Sequence, residues 1–501
     1  MAHGRHVPLI LGRMPNQPLG PAPGDMEPAE FAAAGHALID WIARYLENAE
    51  RYPVLSRATP GQVRSALPAT PPALGEPFAA VMADAERVIL PGVTHWNHPG
   101  FFAYFAISGS APGILAELLT AALNINGMLW RTSPAATELE QLTLDWLRQL
   151  LGLQPGWFGM ITDTASISTL LALAAAREAH PELAVRSRGL AGRPDLPPLR
   201  IYTSAESHSS VDRAAITLGF GHDNVVHVPV DDEFRLRSDA LANLIAEDRA
   251  HGRLPIAVIA TVGTTGPGSI DPVPAIATVC KREKIWLHVD GAYGGAAAVV
   301  PQLQHVLAGV DRADSLVINP HKWLFTPIDC SALYTRRPDV LRRAFSLVPE
   351  YLTTTAPDEV VNYMDYGVQL GHRFRALKLW AVIRVFGALG LADRIRYHCA
   401  LAREFAAWVD AAPNWRRVAP VHFSLVCFRY DPGGPDLNAD KTDALNAAIL
   451  ERVNASGEVY LSHTKLGGRY TIRLAIGNVR TEFRHVAAAW RLLQDAAAAI
   501  R

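Results

Sequence analysis

The chain has 501 residues, of which 49% are hydrophobic and 19% are charged, and its 47 basic and 48 acidic residues leave a formal net charge of −1. This composition is typical of a protein with a buried core, and it excludes a largely disordered chain. A net charge near zero supplies no general attraction for nucleic acid or an anionic membrane. We therefore expect neither of these as a partner.

The first part of the chain predicts helices separated by proline-rich linkers. Residues 1–24 are rich in Pro and Gly and predict a flexible arm, with an apolar stretch too short for a signal peptide. Apolar residues recur at helical spacing after Glu27, and a second helix is predicted over 79–88. We assign 25–110 to an N-terminal helical segment that packs on a partner subunit.

The middle of the chain, residues 111–395, alternates helical stretches with short apolar runs. These runs lie at 200–203, 224–228, 256–260, 285–289 and 315–318. The alternation is typical of βαβ units and predicts a large α/β domain with a mainly parallel central sheet. A functional site in such a domain lies beyond the carboxyl ends of the strands.

The end of the chain, residues 396–501, has a different pattern. Three helical stretches flank two runs, 424–430 and 470–475, in which apolar and polar residues alternate. Alternation of this kind is typical of half-buried antiparallel strands. The pattern predicts a small C-terminal α+β domain.

A lysine follows the last apolar run of the middle domain. Lys322 stands in the segment Asn319-Pro-His-Lys-Trp323, directly after 315–318. Burial lowers the pKa of a lysine, and a neutral amine can form a Schiff base. The competing interpretation is a lysine whose ammonium group reaches solvent.

An aspartate ends the neighbouring run. Asp290 could hold a proton on a pyridine nitrogen, or it could serve only as a helix cap. Gly291 and Ala292 follow it, and small residues leave room for a flat ring. The side chain alone does not decide between these interpretations.

Two further segments carry polar groups at predicted strand ends. Thr162-Asp-Thr-Ala-Ser166 precedes a predicted helix over 167–179, and hydroxyl and N–H groups at a helix start can bind a phosphate or merely cap the helix. His208 lies in a serine-rich segment, where it could stack on an aromatic ring or be solvated.

Taken in order, these features resemble the group II pyridoxal-phosphate (PLP) decarboxylases, in particular the aromatic-L-amino-acid decarboxylase branch. The resemblance runs from about residue 27 to the C-terminus and includes the stretches 94–105, 133–140 and 370–380. It implies an aspartate aminotransferase-like fold, known as fold type I, with PLP as cofactor. It also implies a homodimer with the active site at the subunit boundary.

The resemblance assigns roles position by position. Lys322 forms the Schiff base, Asp290 pairs with the pyridine nitrogen, and the ring lies between His208 and Ala292. The full set of implied cofactor-binding residues is Ala165, Ser166, His208, Thr265, Asp290, Ala292, Asn319, His321 and Lys322.

The proton donor and the substrate wall are also implied by the resemblance. A tyrosine on a loop protonates Cα of the quinonoid intermediate, and counting back from Leu370 selects Tyr363 over Tyr351 and Tyr366 within 346–366. Packing alone is the competing role for Tyr363. The expected substrate-binding residues are Trp96, Tyr104, Phe105, Met128 and Gly371.

These assignments predict decarboxylation of an aromatic L-amino acid to an arylalkylamine and CO₂. Gly371 leaves space for a large ring, and Ala106-Ile107, Asn126 and Met128 depart from the animal enzymes. We therefore favour tryptophan or phenylalanine over dihydroxyphenylalanine, with tyrosine still open. The alternatives are a decarboxylase for histidine or glutamate, an aldehyde-forming oxidative enzyme, and a non-catalytic scaffold.

The cysteines and histidines predict neither disulfides nor a metal site. Cys280, Cys330, Cys399 and Cys427 are scattered, which favours a reducing, cytoplasmic location. His95 and His98 have metal-like spacing but no third ligand at a useful distance in sequence. No metal cofactor is expected.

Overall fold

The structure is a computed structural model that describes residues 24–347, 360–434 and 438–500. It divides into two compact units, one formed by residues 24–48 with Ala58–Gly92 and the other by Ala49–Arg57 with the chain from Val93 onward. The predicted arm over 1–24 lies almost entirely outside the described residues, so it stays a prediction.

The first unit contains short helices and one long one. Its helices are α1 (Pro28–Glu47), α2 (Gln62–Ser65), α3 (Phe78–Asp84) and α4 (Leu90–Gly92), with a π-helical turn at Ala85–Ile89. The predicted helices after Glu27 and over 79–88 are therefore present. No residue of α1 is buried, so the apolar face predicted from its sequence is not covered within the single chain.

The second unit contains the remaining helices and all the strands of the described chain. The helices are α5 (Ala111–Leu123), α6 (Pro134–Leu150), α7 (Ala165–Glu178), α8 (Val185–Arg188), α9 (Ser210–Thr217), α10 (Ser238–Ala250), α11 (Val273–Glu283), α12 (Pro320–Trp323), α13 (Pro338–Phe345), α14 (Ala376–Ala411), α15 (Ala439–Ala455) and α16 (Phe483–Ile500). The strands are β1 (Phe101–Phe102), β2 (Phe158–Thr162), β3 (Leu199–Ser204), β4 (Val225–Val228), β5 (Leu254–Thr261), β6 (Trp286–Asp290), β7 (Ser315–Ile318), β8 (Ser331–Thr335), β9 (Trp415–Arg417), β10 (Leu425–Tyr430), β11 (Tyr460–Leu466) and β12 (Arg469–Ala475).

A seven-stranded sheet forms the centre of this unit, in the order β2-β8-β7-β6-β5-β3-β4. The five strands from β3 to β7 pair in parallel, whereas β8 is antiparallel to both β7 and β2. All five predicted apolar runs are strands of this sheet, and the mainly parallel sheet is confirmed. The carboxyl ends of β3, β5, β6 and β7 consequently share one edge.

A second, five-stranded sheet has the order β1-β11-β12-β10-β9. Its strand β1 pairs in parallel with β11, so residues before the predicted boundary at 110 belong to the C-terminal sheet. Helix α14 likewise crosses the predicted boundary at 395, and Gly387 interrupts it with φ 66° and ψ 171°. Strand pairing and a continuous helix thus join segments on both sides of the predicted boundaries at 110 and 395.

Within the described residues, no helix combines the length and the apolar character that a membrane crossing needs.

Candidate active site

A cavity of about 170 Å³ lies at the carboxyl edge of the seven-stranded sheet. The nine residues implied as cofactor-binding all line it, from Ala165 to Lys322. Their chain positions explain this convergence, since Asp290 ends β6, while Asn319 follows β7 and Ala165 begins α7 just after β2. The sequence analysis did not name four other residues of the lining, which are Thr164, Thr261, Gly263 and Tyr293.

Lys322 projects from the short helix α12 into this cavity. Burial lowers the pKa of its ammonium group, and the negative charge of Asp290 opposes that shift. Its Nζ lies 5.4 Å from the centre of the Phe105 ring. The site therefore favours the neutral, nucleophilic amine more than solvent does.

Asp290 is buried, with 5% of its surface exposed. Its Oδ1 accepts a hydrogen bond of 3.0 Å from the N–H of Ala292. The carboxylate thus caps one backbone N–H without being the N-cap of a helix, since the next helical turn begins at Gly294, and it also borders the cavity. A buried carboxylate needs a cationic or hydrogen-bonding partner, and a protonated ring nitrogen supplies both.

At one end of the cavity, three groups present hydrogen-bond donors. Asn319 Oδ1 accepts from the Ser331 hydroxyl at 2.7 Å, which leaves the amide NH₂ to donate. His321 Nδ1 accepts from the N–H of Cys330 at 2.9 Å, and burial lowers the pKa of His321 to about 3. Its ring is thus neutral with the proton on Nε2. The first N–H groups of α7 add donors without partners inside the helix.

His208 approaches the cavity from the segment after β3. Its Nδ1 accepts from the N–H of Ser210 at 3.1 Å, which places the proton of the neutral ring on Nε2. Burial lowers the pKa of the imidazole, while the charge of Asp290 opposes the shift. The ring is therefore held in one tautomer at the rim.

Stacked aromatic rings support the floor of the cavity. The Tyr293 ring stacks on Phe105 at 3.8 Å and on Trp323 at 5.0 Å between ring centres. Trp323 Nε1 donates to His398 Nδ1 at 3.0 Å. This aromatic column fixes Phe105 opposite Lys322 and adds packing energy beyond the buried area.

Arg473 is a buried cation that sequence reasoning missed. Its Nε donates to the Gly266 carbonyl at 2.9 Å and Nη1 to the Ser462 hydroxyl at 2.8 Å, but Nη2 has no hydrogen-bond partner. Its guanidinium carbon lies 5.3 Å from the centre of the Phe105 ring. Arg473 occupies a polar position of the alternating run 470–475, a pattern that predicts exposure to solvent, so no local signal marked it as a site residue.

Of the expected substrate-binding residues, only Phe105 lines the cavity. Trp96 stacks on Phe101 at 4.3 Å, and the Tyr104 hydroxyl hydrogen-bonds that of Tyr460 at 3.1 Å. Within the single chain, the predicted aromatic wall is therefore largely local packing.

Met128 and Gly371 lie together at a separate place, which we call the substrate edge (residues 126–128 and 371–373). The His372 N–H donates to Asn126 Oδ1 at 2.9 Å, and the Gly127 N–H donates to the His372 carbonyl at 2.8 Å. Neither Met128 nor Gly371 lines the cavity of its own chain. A Cβ atom on Gly371 would meet only Asn126 Nδ2, at 3.8 Å.

Tyr363 is also outside the cavity lining. It is 1% exposed, its ring stacks on His372 at 4.7 Å, and its hydroxyl has no hydrogen-bond partner in the part of the chain that the structure describes. Burial raises the pKa of this phenol well above its usual range. The phenol does not line the cavity of its own chain, so the role of Tyr363 in protonating Cα stays a prediction. Tyr351 lies outside the described residues.

Comparison with known proteins identifies the family of this fold. A model described as the pyridoxal-dependent decarboxylase conserved domain matches residues 60–431. The chain belongs to this family. Its cofactor is PLP, and the enzyme is a pyridoxal-dependent amino-acid decarboxylase.

Relatives of this decarboxylase match nearly its whole length. Tyrosine decarboxylase 4 of Petroselinum crispum is 39% identical, over 95% of this chain and 94% of that protein. Phenylacetaldehyde synthase of a Rosa hybrid cultivar is 38% identical, over 95% of each chain. The crystal structure of Oryza sativa TDC with PLP and tryptamine superposes with a TM-score of 0.91 at 36% identity, covering 95% of this chain and 99% of that one.

The residues present fit PLP in the decarboxylase. The cavity combines an amine, a buried carboxylate and a cluster of N–H donors, which match an aldehyde, a pyridine nitrogen and a phosphate in that order. The buried hydroxyl of Thr261 has no hydrogen-bond partner among the described residues, so it is available to a polar group in the cavity. The polar groups of the cavity are therefore sufficient to hold the aldehyde, the ring nitrogen and the phosphate of PLP.

Proposed function

We propose that the enzyme converts an aromatic L-amino acid into its arylalkylamine and CO₂. The observation that carries the proposal is the cavity itself, in which the amine of Lys322 and the carboxylate of Asp290 meet beside the fixed ring of Phe105. Phe105 and Tyr293 are the aromatic rings of the cavity lining, and such rings favour an aromatic side chain through stacking and apolar burial. The tyrosine decarboxylase of Petroselinum crispum and the tryptamine bound to Oryza sativa TDC support the same substrate class.

The roles of the cofactor residues follow from their hydrogen bonds. Bound PLP supplies an electron sink for the pair of electrons that the departing CO₂ leaves at Cα. Asp290 keeps the proton on the ring nitrogen, because its buried negative charge favours a cation beside it. Asn319 and His321 donate to the phosphate together with the first N–H groups of α7. Lys322 anchors the cofactor through its neutral amine.

Arg473 is our candidate for orienting the substrate carboxylate. A buried guanidinium with an unpartnered Nη2 gains most from an anionic acceptor, and the α-carboxylate is the anion that every amino acid carries. Its contact with Phe105 would set the carboxylate against the same ring that faces Lys322. Fixed orientation of the breaking bond is the main way a protein selects decarboxylation.

We also propose a homodimer in which the substrate edge of one subunit completes the site of the other. Leucines on α5 support this, because Leu115, Leu118, Leu119 and Leu123 are each 49–56% exposed and form an apolar face. Size-exclusion chromatography with light scattering should give twice the chain mass. Mixing Lys322→Ala with Gly371→Trp, each inactive alone, should restore activity, since one of the two sites in a mixed dimer is intact.

A cytoplasmic location is the remaining part of the proposal. All four cysteines are buried as free thiols. Unpaired thiols persist in reducing compartments and are exceptional in oxidising ones.

The decisive experiment incubates PLP-loaded enzyme with each proteinogenic amino acid and identifies products by mass spectrometry. We expect amine and CO₂ from one or more aromatic acids, lost in Lys322→Ala. Amine only from histidine or glutamate would contradict the aromatic substrate class. Aldehyde with ammonia and peroxide would instead identify the oxidative reaction, as the name of the Rosa relative suggests for that protein. No product with any acid would overturn the enzymatic proposal.

A further inference from the structure

A cluster of metal-binding side chains lies outside the cofactor cavity. Asp212 comes from α9, His222 from the turn after it, and His227 from β4. Asp212 Oδ1 lies 3.4 Å from His222 Nε2 and 3.1 Å from His227 Nε2, and all three atoms lie within 4.8 Å of one another. We propose that these residues bind one divalent transition-metal ion, with Zn²⁺ as the reference case.

The distances suit tetrahedral coordination. Zinc binds imidazole nitrogen at about 2.0–2.1 Å and carboxylate oxygen at about 2.0–2.2 Å, which places ligand atoms about 3.3–3.5 Å apart along a tetrahedral edge. The two measured edges from Asp212 are 3.4 Å and 3.1 Å. Small side-chain rotations bring the imidazole nitrogens to a shared ion, and water supplies the fourth ligand.

The backbone that carries the two histidines is held by strand pairing and by side-chain hydrogen bonds. His227 pairs in register with Thr203 of β3. The turn before it is held by Asn224 Nδ2, which donates to the Phe220 carbonyl at 2.8 Å, and by Arg200 Nη1, which donates to the Asp223 carbonyl at 2.7 Å. A preorganised ligand set loses less entropy on binding an ion.

The ligand chemistry selects the class of ion. Two imidazoles with one carboxylate favour zinc, copper or nickel, whereas magnesium and calcium prefer oxygen ligands alone. The side chains of His222 and His227 are 63% and 40% exposed, so an ion can enter from solvent. The nearby positive charge of Arg200 is balanced by Asp248, at 3.1 Å.

The site is separate from catalysis but connected to it by one helix. None of the three ligands lines the cofactor cavity. The first residue of α9, Ser210, donates its N–H to His208 at 3.1 Å, two positions before Asp212. A bound ion would therefore tie α9 to the edge of the sheet and stabilise the fold around the cavity, without taking part in the reaction.

Sequence spacing had suggested only His95 and His98, because Asp212 stands ten positions before His222. The two histidines of the cluster are five apart on a turn and a strand rather than on one helix turn. Their proximity exists only once β4 has paired with β3.

The test is zinc titration of tag-free, chelator-treated holoenzyme by isothermal calorimetry at a fixed pH of about 7.5, because metal binding releases protons and its affinity depends on pH. We expect one zinc per chain at this site and a higher unfolding temperature. His222→Ala with His227→Ala should abolish that binding event. Asp212→Asn should weaken it at least about tenfold, since even indirect partners of ligands contribute 10–100-fold.

His251→Ala is the matched control. His251 is an exposed histidine outside the cluster, and its ring forms a hydrogen bond with the Glu247 carbonyl. The control variant should bind zinc like the unchanged enzyme. Cobalt provides a second readout, since tetrahedral Co²⁺ absorbs visible light strongly and the double variant should lose that band. Equal zinc binding by the unchanged enzyme and the double variant, or no binding by either, overturns the proposal. Circular dichroism and retained decarboxylation show that the variants are folded.

Discussion

The cofactor cavity and the substrate edge are built in different ways. The cavity is lined by residues of one chain. Hydrogen bonds near the ends of neighbouring strands hold its carboxylate, Asp290, and its donors, Asn319 and His321. The substrate edge presents Met128 and Gly371 away from that cavity, beside an exposed apolar helix. The residues implied to hold the cofactor thus lie together in one subunit, whereas the residues proposed to select the substrate lie outside the cavity of their own chain.

This difference predicts two classes of variant. Changes in the cavity should remove the reaction for every substrate, because they act on the cofactor itself. Small changes at the substrate edge should alter the ratio between substrates and leave the reaction intact, whereas a bulky replacement such as Gly371→Trp should block the site. The five predictions below run from the largest expected effect to the smallest.

Replacing Lys322 should have the largest effect. Lys322→Ala removes the only amine of the described cavity, and we expect amine production to fall at least about 10⁴-fold, as when other enzymes lose their nucleophile. Mass spectrometry of the product measures it. Lys281→Ala on the exposed face of α11 is the control and should keep full activity. Substantial turnover in Lys322→Ala would contradict its anchoring role.

Asp290→Asn separates the cap from the charge. The amide oxygen can still accept from the N–H of Ala292, but the negative charge is gone, and activity should fall at least about 100-fold. Steady-state kinetics with saturating PLP provide the measurement, and exposed Asp239→Asn is the control. Near-normal turnover would show that Asp290 is only a cap.

Acid should destabilise the region of the cavity. Burial lowers the pKa of His321 to about 3 and that of His398 to about 4, from 6.5. The unfolded chain therefore binds more protons as the pH falls below about 6.5, and each histidine should cost about 2 kcal/mol of stability at pH 5. Urea unfolding at pH 7 and pH 5 measures the loss. His398→Gln should show a smaller difference between the two pH values, and an unchanged difference would contradict this origin.

Gly371→Ser tests the substrate edge. The added hydroxyl fits the open space beside Asn126, so folding should be unaffected, while room for an indole ring decreases. We expect the ratio of kcat/KM for tryptophan over tyrosine to fall about tenfold, within the range for small pocket changes. Gly75→Ser, where nothing lies within 4 Å, is the control. An unchanged ratio would remove Gly371 from the substrate wall.

Tyr363→Phe should have the smallest effect. Its hydroxyl is buried without a partner, so its removal leaves no group unsatisfied and amine output should stay within about twofold. Loss of amine, or aldehyde in its place, would instead support Tyr363 as the proton donor, acting after the phenol leaves this packing. Tyr351→Phe, assayed in parallel, tests whether another tyrosine of the segment 346–366 is the proton donor.

Local sequence signals were sufficient for the sheet and the cofactor residues. Apolar runs between helices predicted five strands within about two residues, because parallel strands buried on both faces are continuous and short. Each cofactor residue ends a strand of the seven-stranded sheet or stands within four positions after one. The carboxyl ends of parallel strands meet at one edge of the sheet whatever their order in the chain. Residues at these ends could therefore be grouped into one site from the sequence alone.

Long-range contacts were not predictable in the same way. The pairing of β1 with β11 joins residues about 360 positions apart, and no local pattern in Phe101–Phe102 indicates it. Arg473 stands at a polar position of the alternating run 470–475, where the pattern predicts exposure, and its burial comes from contacts distant in sequence. Tyr363 was selected by counting from Leu370, and counting cannot show that its ring is enclosed against His372.

The aromatic column beneath the cavity has a consequence for how the enzyme matures. Phe105, Tyr293, Trp323 and His398 come from four distant parts of the chain, including the C-terminal half of the long helix α14. Such contacts form only after large loops have closed, which makes them late events in folding. Capture of PLP, visible as yellow colour, should therefore appear after the far-UV circular dichroism has recovered. During refolding, the cofactor would act as a reporter of a finished subunit.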